Sequence, residues 1–154
     1  MKTRSLVLPE RKEKETSVEY LERLKDLGFL FHGSSNPNLE ILEPRYTYDP
    51  RSGENTDTAV FATTFLPWTV IFGLHGGHTG WKTIIRNEEV TAYIQLRFRG
   101  ETEKQIGFVY VLPPSTFEKG VGQQYKSHEV VKPITKVEVT LRDYFDLCGK
   151  IEWV

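Results

Sequence analysis

Hydrophobic positions recur with a helical period in two segments of the chain. The first begins at Thr16, which fits a capping box with Glu19, and it ends at Gly28, a residue type that favours helix termination. Its apolar residues lie three or four positions apart and therefore share one face. The second spans residues 66–74 and accepts Pro67, because proline is tolerated in a first helical turn. Both segments are predicted to form short helices.

Apolar runs and strict alternation predict the strands. The runs are bounded by glycine, proline or polar residues, and alternation is typical of a strand with one buried face. The predicted strands lie at residues 29–31, 59–62, 90–98, 108–112, 129–131 and 137–141. A short helical turn is expected at 143–147. Residues 44–58 are expected to form a long exposed connection that is able to cover a cleft.

Length and composition place these elements in a single domain. The chain has 154 residues, of which 38% are apolar and 12% aromatic, which is enough to bury a core. We expect one α+β domain over residues 1–154, rich in strands and with few short helices. Residues 1–15 carry charges of both signs and are expected to form a flexible or loosely packed arm without chemistry of its own.

Charge and cysteine content narrow the function classes. A formal net charge of -1 provides no global field for binding nucleic acid or anionic lipid. The single cysteine, Cys148, excludes an intramolecular disulfide and is expected to be a small buried hydrophobe. The chain shows neither a signal-peptide pattern nor an apolar run of about 20 residues, so we expect a cytoplasmic protein without a membrane anchor. Nothing in the pattern indicates an oligomeric state.

Two histidines, His75 and His78, are separated by two glycines and invite a metal interpretation. A catalytic zinc needs at least a third protein ligand, for which His128 or an oxygen donor is the sequence-near candidate. We therefore predict a loop that contains two histidines and no metal site. Trp81, just beyond this loop, either lines a cleft or packs against the core.

Three short motifs on separate predicted strands carry the chemistry. His32 and Gly33 end the first strand, and Ser34 follows them; glycine there allows a close backbone approach to a ligand. Residues 60–63 read Val-Phe-Ala-Thr and precede the second helix, and residues 127–131 place Glu129 before two valines. Taken alone, the His-Gly-Ser motif and Glu129 favour a structural role, namely a turn that contains glycine and a solvated residue at the start of a strand.

In this order the motifs resemble those of the ADP-ribosyltransferase superfamily, in the branch of the poly-ADP-ribose polymerases and diphtheria toxin with its His, Tyr and Glu on separate strands. The resemblance covers about residues 29–141. It implies a split antiparallel β-sheet core with a few short helices, NAD as the substrate, no metal, and transfer of ADP-ribose to an acceptor. The acceptor is a protein, a nucleic acid or a small molecule.

The resemblance also implies roles for individual residues. The Gly33 backbone would bind the nicotinamide amide, and the His32 side chain would hold a ribose hydroxyl. Glu129 would hold the 2′-hydroxyl and favour the positive charge that develops as the nicotinamide–ribose bond breaks. His32 and Glu129 are the predicted catalytic residues.

Other residues are predicted to bind the cofactor. The first two motifs supply Ser34, Phe61, Ala62 and Thr63. Arg45 could contact the pyrophosphate with two parallel hydrogen bonds, and Phe72 would provide an aromatic wall. A surface salt bridge accounts equally well for Arg45, and capping of the next helix for Thr63. Val60 departs from the pattern, since the family commonly has a tyrosine there that stacks on nicotinamide.

Three alternatives stay open. The departure at Val60 favours a catalytically degenerate module that binds NAD, another nucleotide or a protein partner. NAD glycohydrolysis differs from transfer only in using water as the acceptor. An RNA 2′-phosphotransferase shares the His-Gly motif, but it would need an arginine and histidine cluster and usually an N-terminal winged domain, for which about thirty residues before Phe29 are too few.

Overall fold

The structure is a computed structural model and describes residues 6–47, 57–76, 78, 80–120 and 122–154. Within these residues the helices are α1 (Ser17–Asp26), α2 (Leu66–His75), α3 (Arg99–Lys104) and α4 (Leu141–Asp146), with a 3-10 turn at Leu96–Phe98. The strands are β1 (Leu30–Ser34), β2 (Arg45–Thr47), β3 (Asp57–Thr63), β4 (Lys82–Arg86), β5 (Glu89–Ile94), β6 (Gly107–Leu112), β7 (Glu118–Lys119), β8 (Gln124–Ser127), β9 (Thr135–Val139) and β10 (Lys150–Trp153).

Two sheets organise the described residues. The larger has seven strands in the order β7-β8-β3-β1-β6-β9, with β2 paired to β3, and its strand pairs are antiparallel. The smaller has the order β10-β5-β4, in which β10 runs parallel to β5. The predicted α+β class, with an antiparallel sheet and few short helices, is confirmed.

Helix α1 begins and ends as its sequence predicts. The Thr16 hydroxyl accepts from the backbone N–H of Glu19 at 3.1 Å, and the Glu19 carboxylate accepts from the N–H of Thr16 at 3.0 Å. Gly28 follows with a φ of +101°, a conformation that costs glycine little. The capping box therefore fixes where this helix starts, and the glycine fixes where it stops.

The larger sheet is buried on both faces at its centre. Strand β6 has all six residues buried; Val109 and Val111 belong to the core that also contains α1, α2 and α4, while Phe108, Tyr110 and Leu112 belong to a second cluster on the other face. Strands buried on both faces read as continuous apolar runs, which is why residues 108–112 were correctly predicted from sequence.

Helix α2 crosses β1 and β6 at very short range because glycines line the crossing. A Cβ atom at Gly33 would collide with the Thr69 carbonyl oxygen, and one at Gly107 would collide with the backbone of Gly73. The helix also begins as predicted, with Pro67 in its first turn. Glycine is thus required here for helix packing.

The strand predicted at 129–131 is wrong. The strand in this part of the chain is β8, which ends at Ser127, and only Val131 makes an isolated bridge, to Leu42. The N–H of Glu129 donates to the Ser127 hydroxyl at 3.2 Å, which turns the chain away from the sheet. Glu129 itself is exposed.

The strand predicted at 90–98 is too long. It ends at Ile94, where its neighbour β10 also ends, and Leu96 is 59% exposed in the turn that follows. The alternation continues beyond Ile94, but a strand needs a partner to satisfy its backbone. The strand predicted at 137–141 lies two residues earlier, as β9, and the helical turn predicted at 143–147 corresponds to α4, which begins at Leu141 and ends at Asp146.

The two segments predicted to be loosely held are only partly described. Residues 48–56 of the expected connection and residues 1–5 of the expected arm lie outside the described residues. The ends of the connection are ordered, since β2 pairs with the start of β3. Within residues 6–15, Glu15 makes an ion pair of 2.7 Å with Arg23 of α1, which lowers the pKa of Glu15 to about 2.

None of the helices in the described ranges is long and apolar enough to cross a membrane.

Candidate functional site

A cavity opens where β1 and β3 separate. The register of β1 with β6 runs over five residues, whereas its register with β3 is limited to Phe31 opposite Thr63. The edge of residues 32–34 that faces β3 is therefore outside the strand ladder. Peptide groups freed in this way are available to hydrogen-bond a ligand.

The cavity has a volume of about 680 Å³, which is within the usual range for small-molecule sites. Its described lining includes eight of the nine residues predicted as catalytic or cofactor-binding, which are His32, Gly33, Ser34, Arg45, Phe61, Ala62, Thr63 and Phe72. The remaining lining residues are Phe31, Asn36, Leu39, Ile41, Leu42, Glu43, Ala59, Val60, Trp68, Thr69 and Gln124.

His32 connects the two strands that form the cavity. Its Nδ1 lies 2.9 Å from the carbonyl oxygen of Phe61. Because a carbonyl only accepts, Nδ1 carries the hydrogen and Nε2 holds a lone pair. Burial lowers the pKa of His32 below its ordinary value, an effect that outweighs the bond to Phe61, so the ring is neutral at pH 7. The side chain therefore offers an acceptor to a ligand.

Gly33 lines the cavity, but the space left by its missing side chain lies on the opposite side, where α2 packs against β1. The place of its missing Cβ is taken by the backbone of α2, at Thr69 and Gly73. Its backbone is paired with Val109 of β6. The sequence predicted a glycine needed for approach of a ligand, whereas the close contact in the structure is with a helix.

The charged groups of the cavity lie beside β2. Arg45 pairs with Ala59 in the hairpin of β2 and β3, and Glu43 precedes it by two residues. Both side chains are exposed. Within the described part of the chain, no carboxylate lies at ion-pairing distance from Arg45. A guanidinium in the lining of a cavity is able to pair with an anionic group of a ligand.

An aromatic wall faces the cavity from α2. Phe72 is 39% exposed, although it is apolar, and it forms T-shaped contacts with two tryptophans: Trp68 with ring centroids 5.3 Å apart and Trp81 with centroids 5.1 Å apart. Trp68 lines the cavity, and Trp81 packs behind the wall. The exposed part of the Phe72 ring is available to pack against a planar ligand.

The Thr63 hydroxyl is already used within the protein. It donates to the carbonyl oxygen of Gln123 at 2.7 Å and accepts from the N–H of Phe65 at 3.0 Å. These two bonds tie the start of β8 to the start of α2. Although Thr63 lines the cavity, its hydroxyl positions the neighbouring segments; it does not cap α2, whose N-cap is Phe65 without a side-chain capping bond.

Glu129 is the predicted site residue that does not line the cavity among the described residues. The strand beside β3 instead brings Gln124, its first residue, to the cavity opposite Thr63. Sequence analysis missed Gln124 because β8 has no apolar run: it reads Gln-Tyr-Lys-Ser, and three of its four residues are only half-buried. The glycines at 120 and 122, which precede it, are the one local signal of a turn into a strand.

The two histidines predicted to share a loop lie outside the lining of the cavity: His75 is the last residue of α2, and His78 follows the helix. His75 and His78 stack face to face, with ring centroids 4.4 Å apart and planes 15° apart. The described residues contain no group of three or more ligands that could hold a metal ion. Desolvation lowers the pKa of His75 to about 4, and both of its ring nitrogens lack a hydrogen-bond partner among the described residues.

Cys148 differs from its predicted role. It is exposed, with a φ of +66°, in the turn between α4 and β10. The apolar environment of this turn is provided by Tyr144, whose ring lies against Gly149. The prediction of a buried cysteine is wrong because the chain reverses direction at this residue.

Comparison of the chain with protein-family models, with curated proteins and with solved structures finds no match.

Proposed function

We propose that the cavity binds NAD and that the chain acts as an NAD-binding module without efficient cleavage of the ligand. The observation that carries this proposal is the position of Gln124, an uncharged residue, at the start of the strand that pairs with β3. The resemblance implies a glutamate at the start of such a strand. The resemblance implies both binding and cleavage of NAD, and we propose binding without efficient cleavage.

Three features of the cavity complement parts of NAD. Phe72 offers an exposed aromatic ring, packed against Trp68 and Trp81, to a planar ring. His32 offers the Nε2 lone pair to a hydroxyl group, since Nδ1 is bound to Phe61. Arg45 offers a guanidinium to the pyrophosphate, which it is able to contact with two parallel hydrogen bonds. Together they provide for the ring, the sugar and the phosphates.

Cleavage of NAD requires a negatively charged group in addition to these binding groups. As the nicotinamide–ribose bond breaks, positive charge develops on the sugar, and a nearby carboxylate stabilises it. The Gln124 amide has no charge to supply. Among the described lining residues Glu43 has the one carboxylate, and it is exposed beside β2. We therefore expect that NAD binds and that nicotinamide is released slowly or not at all.

A second candidate is the NAD-dependent transfer of ADP-ribose that the motifs imply. The specific observation in its favour is that same carboxylate of Glu43, which lies two residues before Arg45. In this candidate Glu43 takes the role that the resemblance assigns to Glu129. The acceptor would be a macromolecule, a small molecule or, in the hydrolytic version, water.

One experiment separates the two candidates. Purified protein is titrated with NAD by calorimetry, and nicotinamide is quantified by chromatography after incubation with and without cell lysate as an acceptor source. We expect binding, its weakening by about tenfold in Phe72→Ala through loss of the stacking face, and no nicotinamide release above background. The control Phe145→Ala removes a ring that is 48% exposed from α4, outside the cavity, and should bind NAD like the wild type.

The variants of two glutamates complete the design. Nicotinamide release that disappears in Glu43→Gln and persists in Glu129→Gln would establish the transferase candidate and overturn the module. If calorimetry detects no NAD binding to the wild type, both candidates are refuted.

A further inference from the structure

One row of side chains crosses three neighbouring strands of the larger sheet. His32 of β1 lies opposite Tyr110 of β6, and Tyr110 lies opposite Lys136 of β9. Residues that are directly opposite each other in antiparallel strands point to the same face of the sheet. His32 lines the cavity, whereas Tyr110 and Lys136 lie outside its described lining. The row therefore connects the cavity with the part of the sheet beside it.

The segment of residues 35–40, which follows β1, is hydrogen-bonded to side chains. The N–H of Asn36 donates to the Ser34 hydroxyl at 3.1 Å, and the N–H of Asn38 donates to Oδ1 of Asn36 at 2.9 Å. Both of these bonds are local. The N–H of Leu39 instead donates to the Tyr110 hydroxyl at 3.1 Å, and this bond ties the segment to the sheet.

Two side chains of the row bind carbonyl oxygens of the same segment. Tyr110 is 2% exposed, and its hydroxyl donates to the carbonyl oxygen of Asn36, so it both donates and accepts. The Lys136 ammonium donates to the carbonyl oxygen of Pro37. Asn36 and Leu39, the two residues that Tyr110 binds, both line the cavity. One wall of the cavity is thus fixed by residues that stand outside it.

We propose that Tyr110 and Lys136 are positioning residues, which hold Asn36 and Leu39 in the arrangement that binds the ligand. A wall that is ordered before the ligand arrives loses less conformational freedom on binding, and this raises the affinity. Without the Tyr110 hydroxyl, the Leu39 N–H and the Asn36 carbonyl lose their common partner, and the segment becomes free to adopt other arrangements. The inference rests on the proposed binding of NAD, which is the ligand that the test uses.

Tyr110→Phe tests the proposal because it keeps the buried ring and removes the hydroxyl. We expect amide hydrogen exchange at Leu39 to accelerate by about tenfold or more, since this N–H loses its acceptor. The NAD dissociation constant, measured by calorimetry, should rise by about fivefold to tenfold.

Tyr144→Phe is the matched control. Tyr144 is also buried, and its hydroxyl donates to the carbonyl oxygen of Lys150 at 2.7 Å, away from the cavity lining. Both variants should lower the urea midpoint, because each loses a buried hydrogen bond. In Tyr144→Phe, however, the NAD dissociation constant and the exchange rate at Leu39 should stay within about twofold of the wild type.

A second pair of variants avoids the core. Lys136→Met changes an exposed residue, removes the bond to Pro37, and should raise the NAD dissociation constant by about threefold. Lys132→Met, at another exposed lysine outside the cavity lining, should leave it unchanged. Unchanged NAD affinity in Tyr110→Phe and Lys136→Met, or equal losses in each variant and its control, would overturn the positioning role while leaving NAD binding in place. A wild type that does not bind NAD would overturn the proposed function and this inference together.

Discussion

His32 Nδ1 lies 2.9 Å from the carbonyl oxygen of Phe61 and so bridges β1 and β3 at the point where their backbone pairing has ended. The side chain replaces the missing ladder bond, and His32 also lines the cavity. One residue thus holds the two walls together and contributes to the surface between them.

Removing this bridge should affect both stability and binding. We expect His32→Ala to lower the free energy of unfolding by about 1–2 kcal/mol, because a hydrogen bond is lost and the Phe61 carbonyl is left without its partner. NAD binding should weaken as well, since an acceptor disappears. Urea denaturation and calorimetric titration measure the two effects.

His128→Ala is the control for that variant. His128 is exposed, and its bond of 2.7 Å to Asp57 belongs to a surface ion pair. Surface pairs typically contribute between zero and about 1 kcal/mol. Equal losses of stability and of NAD binding in the two histidine variants would contradict a special role for His32.

The buried His75 predicts a loss of stability in mild acid. Its side chain is 1% exposed, and desolvation lowers its pKa from 6.5 to about 4. A group with a depressed folded pKa stabilises the fold fully above its unfolded pKa, and this contribution is lost as the pH falls from about 6.5 toward 4. At about 1.4 kcal/mol per pH unit, the loss at pH 5 is roughly 2 kcal/mol.

A phenylalanine at this position isolates the effect. His75→Phe keeps a ring of similar size against Trp81 and Phe98 and removes the titrating group. Its stability at pH 7 should equal or exceed that of the wild type, because two buried nitrogens without a partner among the described residues disappear. Between pH 7 and pH 5 it should lose about 2 kcal/mol less than the wild type; identical pH profiles from urea denaturation would refute the assignment.

Local signals explain which parts of the fold could be predicted. The capping box of Thr16 and Glu19 and the apolar run of β6 act within a few neighbouring residues, and both elements occur as predicted. Strand β10 was missed because it exists through its pairing with β5, about sixty residues earlier in the chain. The periodicity of a sequence does not show which distant segment a strand pairs with.

The same physical reason limits prediction of the candidate site. His32 and Phe61 were found because each lies in an apolar strand with a clear boundary. Gln124 lies in a polar strand that forms by pairing with β3, so an apolar segment containing Glu129 was preferred in its place. Val130, on which that preference depended, is 56% exposed. Apolar content alone was a poor guide at this edge of the sheet.

Two variants test whether Gln124, and not Glu129, is the residue of the cavity. Glu129→Gln alters an exposed side chain outside the cavity and should leave the NAD dissociation constant within about twofold of the wild type. Gln124→Leu preserves approximate size, removes the amide, and should weaken NAD binding by about tenfold, equivalent to about 1.4 kcal/mol. The reverse ranking, with the larger loss in Glu129→Gln, would restore the residue assigned from sequence.

The glycine at position 33 gives the sharpest test of the fold around the cavity. In Gly33→Ala the new methyl group would collide with the Thr69 carbonyl oxygen, a backbone atom that moves only if α2 moves. We expect a loss of about 3 kcal/mol or more in the free energy of unfolding. Gly100→Ala provides the opposite expectation: its Cβ meets nothing within 4 Å, it lies in α3, and it should stabilise the protein by about 0.5 kcal/mol. Both variants make the same chemical change. Urea denaturation curves that shift in opposite directions would therefore attribute the effect to the crossing of α2 over β1. A Gly33→Ala protein as stable as the wild type would refute that crossing.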